Sequence, residues 1–498
     1  MKSRSLLVTV LVFLFVNLSF AQQEKLQKID SYINSAMKDW KMPGFAVAIV
    51  KNDSVVFAKG YGVRDVRTNE PVDENTLFMI ASCTKAFTTA SLATLVDRGK
   101  IKWDDKVINY LPSFQMYDPW ITKEITIRDL VTHRSGLETF SGDILWLGST
   151  YDAKEVIRRA RFLKPTSSFR SKYGYQNIMF SVAGSIIPVV TDTSWSDYIK
   201  AHIFSQLGMN RSVTSIKEMK DASNFAFPHK TVKGNVVPYN DFWSIETVAP
   251  AGAINSCVAD MSKWIRLQLK NGKFSNKQIF SERQSNEMWS NQTAIGNANY
   301  GLGWFIRYWN GKKMLNHGGG MPGMISDVSI LPEENFGLVI LSNAESGMVT
   351  AIRNYIMETF INKEPKDWNK TMLENWQKRE DGFAKEDKRR EDVRVKDTKP
   401  SLPLEKYCGI YEDAMYGKAE ISLKDGKLFM QFLPTPFFRG ELKHYHYDTF
   451  YIDWEDDFLT RGWSKFEMNF NAEIKKFTIE VPNSPDFIFT ELSFEKVK

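Results

Sequence analysis

The sequence predicts an α+β protein: one antiparallel sheet covered by helices, followed by a small all-β C-terminal barrel. Three observations predict it. Strand patterns sit at both ends of a long segment, near 44–63 and 300–345, while helical and loop patterns fill about 82 to 290. The economical solution is one sheet assembled from both ends, with the intervening helices laid over it. A densely charged stretch follows, and short strands resume at 403–498. At 498 residues the chain has room for about three domain-sized units.

Taken in order, residues 1–21 (MKSRSLLVTVLVFLFVNLSFA) carry Lys2 and Arg4, then an apolar run from Leu6 to Val16. Ser19 and Ala21 are small residues before Gln22. That is the three-part logic of a secretory signal cut after Ala21, and it predicts a secreted or periplasmic protein. The apolar run is about half the ~20 residues a spanning helix needs, and no later segment approaches that length, so no membrane span is expected after cleavage. Residues 26–40 repeat apolar side chains at helical spacing (Leu26, Ile29, Ile33, Met37, Trp40). GFAVAIVKND and SVVFAKGYGV read as a hairpin turning at 51–54. Four later runs read as strands: YGLGWFIRYW, KKMLNHGG, ISDVSIL and FGLVILSN. Residues 22–362 thus form the first domain. Residues 363–402 mix both charge signs with few apolar residues, a solvated helix or linker marking a boundary. Beyond it, KYCGIYE, AEISLKDGKLFMQFL, FYIDW, SKFEMNFN and KKFTIEVP are short strands, with a hairpin turn at Asp425-Gly426.

Composition removes several classes. Hydrophobic residues make up 43% of the chain, ordinary for a packed protein. A formal charge of +6, with no basic block interleaved with aromatics, sets nucleic acid aside as a partner. Cys83, Cys257 and Cys408 lie far apart without a C-x-x-C, against a disulfide scaffold or a cysteine zinc site. His444 and His446 would share a strand face, but two histidines do not make a metal site. The acidic run Asp453, Glu455, Asp456 and Asp457 reads as a solvated loop rather than a calcium site. No G-x-S-x-G or phosphate-binding glycine motif is present.

Three motifs carry chemistry when taken together. In Ser82-Cys83-Thr84-Lys85 a helical i, i+3 spacing sets an amine beside a hydroxyl. A serine is a weak nucleophile until a base takes its proton. The apolar run after it places Ser82 at a helix N-terminus, where backbone dipoles favour developing negative charge. Tyr175-Gln176-Asn177 follows a loop and precedes an apolar helix. A nearby cation, Lys85, would lower the phenol toward phenolate and make Tyr175 a general base, and Asn177 would hold a substrate amide. His317-Gly318-Gly319-Gly320 follows a strand, and its glycines permit close substrate approach. The amides of Ser82 and Gly320 are candidate oxyanion donors. Each motif alone is common: Ser35-Ala36-Met37-Lys38 and Tyr32-Ile33-Asn34 also match. Their order, and spacings of about 90 and 140 residues, are not.

The ordered set resembles the serine β-lactamase and penicillin-binding-protein-like family, in particular its class C, D-aminopeptidase and esterase branch. TIRDLVTHRSGL (126–137), VAPAGAINSCVADMSKW (248–264), YGLGW (300–304) and GLVILSNAE (337–345) resemble its framework, so the likeness covers roughly 25–360. The last hundred residues resemble the lipocalin-like domain some members carry. The resemblance implies a β-lactamase/transpeptidase-like fold and catalysis by Ser82, Lys85 and Tyr175. It implies substrate contacts from Asn177, His317, Gly318 and Gly319, an oxyanion hole of Ser82 and Gly320, and no cofactor or metal. His317 and Gly318 stand where relatives carry the lysine and threonine of K-T-G. A histidine neutral or partly charged near pH 7, and a missing hydroxyl, weaken the anchoring of a β-lactam carboxylate. The S-D-N element fails at its third position, Tyr198. Cys83, His133, Trp264 and Trp304 read as structural. The expectation is an exported serine hydrolase acting on an amide or ester: a D-residue peptide, a cell-wall fragment or a small acyl ester. A β-lactamase, or a non-catalytic binding protein on the same fold, are the alternatives. Oligomeric state leaves no signature.

Overall fold

The structure, a computed structural model, describes residues 22–497 apart from Lys233, Asn362, Asp457, Phe458, Asn483 and Pro485. The expected signal segment 1–21, the boundary at 362 and Asp457 of the acidic run therefore lie outside the described residues.

Helix α1 (22–40) leads into the hairpin β1 (Gly44–Lys51) and β2 (Ser54–Gly62). Asn52 and Asp53 turn it with φ of +50° and +64°, the left-handed pair that a two-residue hairpin loop requires and these side chains tolerate. Six strands come from the far end of the domain: β3 (Thr293–Ile295), β4 (Ala298–Tyr300), β5 (Phe305–Trp309), β6 (Lys312–Met321), β7 (Met324–Leu331) and β8 (Phe336–Ser342). Among the described residues these eight form one sheet, in the order β2-β1-β8-β7-β6-β5-β4-β3. β1 pairs antiparallel with β8 from Phe45↔Ser342 to Lys51↔Phe336, which is how the two ends of the domain meet.

Both faces of the sheet are buried, so β1 reads as an unbroken apolar run rather than an alternation. Phe45, Val47 and Ile49 pack under α1 and α5 (Met348–Phe360), beside Ile29, Ile33, Ile352 and Ile356. Ala46, Ala48 and Val50 point the other way into the larger core. Small residues suit that face because α4 (Val258–Leu269) presses close: a side chain at Gly337 would meet Ile265 at 2.4 Å. Each fully buried Ile or Phe contributes about 1.5–3 kcal/mol. Helix α2 (Thr84–Asp97) is buried all round, and α3 (Asn177–Thr191) packs beside it. The charged stretch forms α6 (Trp368–Asp392), whose one buried residue among those described is Asn369. Asn369 accepts a hydrogen bond from Trp40 Nε1 at 2.7 Å, fixing α6 to α1.

The C-terminal strands are β9 (Gly409–Asp413), β10 (Gly417–Lys424), β11 (Lys427–Phe432), β12 (Arg439–His446), β13 (Thr449–Trp454), β14 (Gly462–Met468), β15 (Ile474–Glu480) and β16 (Ser493–Lys496). Each pairs with the next, and β16 returns to β9 through Tyr411↔Lys496, closing a barrel. Asp425 and Gly426 turn the β10–β11 hairpin with φ of +50° and +74°. The interior is filled by rings, among them Tyr411, Phe466, Phe477 and Phe494. A register irregularity between His444 and His446 separates the two histidines. His444 bonds the Tyr447 carbonyl and His446 accepts from the Val395 amide.

Candidate active site

Ser82 stands in a single 3₁₀ turn (Ala81–Cys83) that runs directly into α2. The residue before it, Ala81, has φ of +45°, a left-handed conformation costly for a side-chain-bearing residue. Neighbouring strands hold the turn. Ser326 Oγ of β7 donates to the Ile80 carbonyl at 2.7 Å, and Cys83 Sγ donates to the His317 carbonyl of β6 at 3.1 Å. A side chain at Gly319 would lie 2.1 Å from that same Ile80 oxygen and 3.0 Å from the Ser82 nitrogen. Gly319 therefore faces the serine turn and is absent from the cavity wall that Gly318 and Gly320 line. Its part is to let β6 approach the nucleophile, which differs from the substrate contact expected of it.

Lys85 is fully buried one turn along α2. Its Nζ lies 3.1 Å from Ser82 Oγ, 2.6 Å from Asn177 Oδ1 and 2.9 Å from the Ala251 carbonyl. Burial drives its pKa down to about 7, against a raising influence from Asp143. A neutral amine has two N–H donors and one lone pair. The amide and carbonyl oxygens take the two donors, so the lone pair is left for the Ser82 hydroxyl. Ala251 lies on the short helix Ala249–Gly252, inside the VAPAGAIN segment.

Tyr175 is buried beside Ser82, whose hydroxyl favours the ionised phenol against that burial. Here the structure corrects the expectation of a phenolate. Burial pushes the phenol well above its ordinary range. Lys85 sits 4.7 Å over the ring and, with a pKa near 7, is neutral through the alkaline range in which a phenol would ionise, so it supplies little cation there to offset that penalty. Tyr175 keeps its proton and is equipped to relay one. His133, read as structural, places it: His133 Nδ1 accepts from the Gln176 amide at 3.0 Å, and its ring lies 4.2 Å from the Tyr175 ring.

Asn177 opens α3. Its oxygen is held by Lys85 and its Nδ2 donates to Asp143 Oδ2 at 2.6 Å, which leaves one N–H for a substrate. Asp143 went unnoticed in the sequence because a lone acid in the loop 138–150 has no pattern. It is fully buried, also accepts from Trp146 Nε1 at 2.9 Å, and burial raises it to about 8.

His317 lies on β6 and lines the cavity. Its Nδ1 donates to the Gly318 carbonyl at 2.6 Å, and the Tyr300 hydroxyl stands 3.0 Å from Nε2. Burial, then Lys85, lower its pKa to about 3. It is neutral at pH 7, the first of the two states expected of it.

These groups surround a cavity of about 490 Å³. Ser82, Tyr175, Asn177, His317, Gly318 and Gly320 line it, with Trp146, Phe305 and Phe487 as apolar walls. Among the described residues lining it are three carboxyl groups and no lysine or arginine: Asp143, which at about 8 is mostly protonated near pH 7, Glu345, which burial also raises, and Asp486. Asp486 and Phe487 come from the β15–β16 connection of the barrel. Burial, then Glu345, raise Asp486 to about 6. No spacing rule links such residues to Ser82, so sequence reasoning missed them.

The chain matches the family described as Beta-lactamase over residues 29–358, and a domain of unknown function, DUF3471, over residues 393–496. It is 27% identical over 426 residues to the unguisins hydrolase ungD' of Aspergillus campestris, spanning 79% of this chain and 77% of that protein. It is 27% identical over 341 residues to protein flp of Staphylococcus aureus (strain MW2), spanning 68% of this chain and 66% of that one. The octameric penicillin-binding protein homologue from Pyrococcus abyssi superposes with a TM-score of 0.62 at 22% identity, over 95% of this chain and 100% of its own. That last likeness is one of fold.

Proposed function

The chain belongs to the β-lactamase family and is a serine hydrolase, and from that premise we propose that it cleaves amides or esters whose acyl part carries a free amino group. A D-residue peptide, a cell-wall fragment bearing an amine and a small aminoacyl ester all have that character. The observation that carries the reaction is the set of partners around Lys85, which directs its lone pair at Ser82.

In this reading Lys85 Nζ takes the Ser82 proton as Oγ attacks the carbonyl carbon. The oxyanion is met by the backbone N–H groups of Ser82 and Gly320, at the start of α2 where the helix dipole adds to them. Tyr175, still protonated, passes a proton to the departing amine or alcohol, and the proton on Lys85 replaces it. Water then attacks the acyl group on Ser82, its proton taken by Lys85; the bond from the acyl carbon to Oγ breaks, the acid departs, and Lys85 returns the proton to Ser82 Oγ. The acid-lined cavity supports a cationic substrate. It argues against a β-lactam, whose carboxylate would face Asp486 and Glu345 with a neutral His317 and a side-chain-free Gly318 in place of an anchor. A lone pair aimed at a serine is of no use to a protein that only binds. The signal-like residues 1–21 support action outside the cytoplasm.

The test is a matched pair, D-alanine p-nitroanilide and its N-acetyl form, with a cephalosporin as third substrate. The free amine should be preferred by about tenfold or more in kcat/KM, the value of one charge-assisted contact. Asp486→Asn should shrink that preference while leaving the acetylated substrate unchanged. Equal rates on the pair, or faster turnover of the cephalosporin, would reject the reading.

A further inference from the structure

We infer that the barrel is part of the catalytic machinery, with Glu491 a positioning residue that fixes Asp143 and, through Asn177, the amine of Lys85. The inference rests on the proposed serine chemistry. Segment 141–151 carries Asp143, Trp146 and Leu147 to the cavity, and it is fastened to the barrel at both ends.

At the near end Glu491 takes two hydrogen bonds, one from the Ser141 hydroxyl and one from the Gly142 amide at 2.9 Å. Gly142 has φ of +77° and immediately precedes the turn Asp143–Leu145. At the far end the Thr150 amide donates to the Pro434 carbonyl and the Tyr151 hydroxyl to the Tyr416 carbonyl, each at 2.7 Å. Between them the Phe437 ring lies so close that a side chain at Gly148 would meet it at 2.2 Å.

From Glu491 the path inward is short. The carboxylate sets Gly142. The next residue, Asp143, receives Asn177 Nδ2, and Asn177 Oδ1 receives Lys85 Nζ, both at 2.6 Å. Asp143 also bears on the charge of Lys85, raising its pKa against burial. Were segment 141–143 freed, Asn177 would lose its brace and Lys85 both its alignment and that influence. The lone pair would then point at Ser82 only part of the time. An error of about 1 Å in a catalytic base costs on the order of a hundredfold in rate.

The experiment measures the rate at which a fluorophosphonate phosphonylates Ser82, with loss of fluoride, in the full-length protein, between pH 5 and 9, in wild type, Glu491→Ala, Glu491→Gln and Ser141→Ala. Glu491→Ala should react about tenfold to a hundredfold more slowly at pH 8, with the midpoint of its pH dependence moved below that of wild type. Glu491→Gln keeps an acceptor for the Gly142 amide and can donate to the Ser141 oxygen, so it should stay within about threefold of wild type. Ser141→Ala breaks the same clamp from the other side, without touching the barrel, and should fall between them. If Glu491→Ala melts at a lower temperature yet labels at the wild-type rate with the wild-type pH profile, the contact is only structural and the inference fails. If wild type itself does not label at Ser82, the serine chemistry fails instead.

Discussion

Burial takes Lys85 from the ordinary lysine range down to about 7, and the sign of the pH dependence follows from that. Above about pH 7 the amine is free and can accept the Ser82 proton. Below it the ammonium cannot, so kcat/KM should fall about tenfold per pH unit on the acid side of a limb near 7. A steady-state profile on an uncharged ester checks this, because such a substrate does not depend on Asp486, whose own ionisation lies near 6. Tyr175→Phe should slow turnover but keep that limb, since the phenol holds its proton throughout the range. Loss of the limb in Tyr175→Phe would return the base role to the tyrosine. His317 contributes nothing to the profile between pH 5 and 8, being already neutral. At this scale the sequence was half legible. Ser82, Lys85, Tyr175 and His317 could be picked out because residue type and order are visible in a string. Their protonation states could not, because those depend on how completely the fold excludes water.

The elements that present these residues are matched by close approach rather than by polar contact alone. Strand β6 crosses the serine turn at Gly319, where a methyl group would collide with the Ile80 backbone oxygen at 2.1 Å. Backbone on both sides cannot yield as a flexible side chain would. Gly319→Ala should therefore displace the turn and lower kcat by about a hundredfold or more. Gly320→Ala, whose nearest neighbour would be a flexible Ile325 methyl at 3.5 Å, should be far milder. Comparable losses in the two variants would mean that Gly319 has no special place. The strands from the two ends of the domain were readable because β1 and β8 are continuous apolar runs. The barrel was less so. Strand β12 (RGELKHYH) is broken by glycine, charge and histidine, and β16 is four residues long, too short for an alternation to register. Yet β16 is the strand that closes the barrel.

Across the whole molecule the two units share one site. The barrel contributes Asp486 and Phe487 to the cavity and grips segment 141–151, so the substrate wall and the brace behind the base both come from residues more than 250 positions from their partners. The sequence separated the two units by the charged stretch that becomes α6, but it held no sign that the second completes the first. Contacts of that kind rest on single residues such as Glu491 and Gly148, which carry meaning only once the chain is folded. The central claim remains that Ser82 is an activated nucleophile. Its most direct test is intact mass after brief exposure of the protein at pH 8 to a fluorophosphonate, with Ser82→Ala alongside. The account predicts one adduct on wild type, mapped to Ser82, and none on the variant. An unmodified wild type that is folded, or an adduct of equal yield on Ser82→Ala, would contradict it.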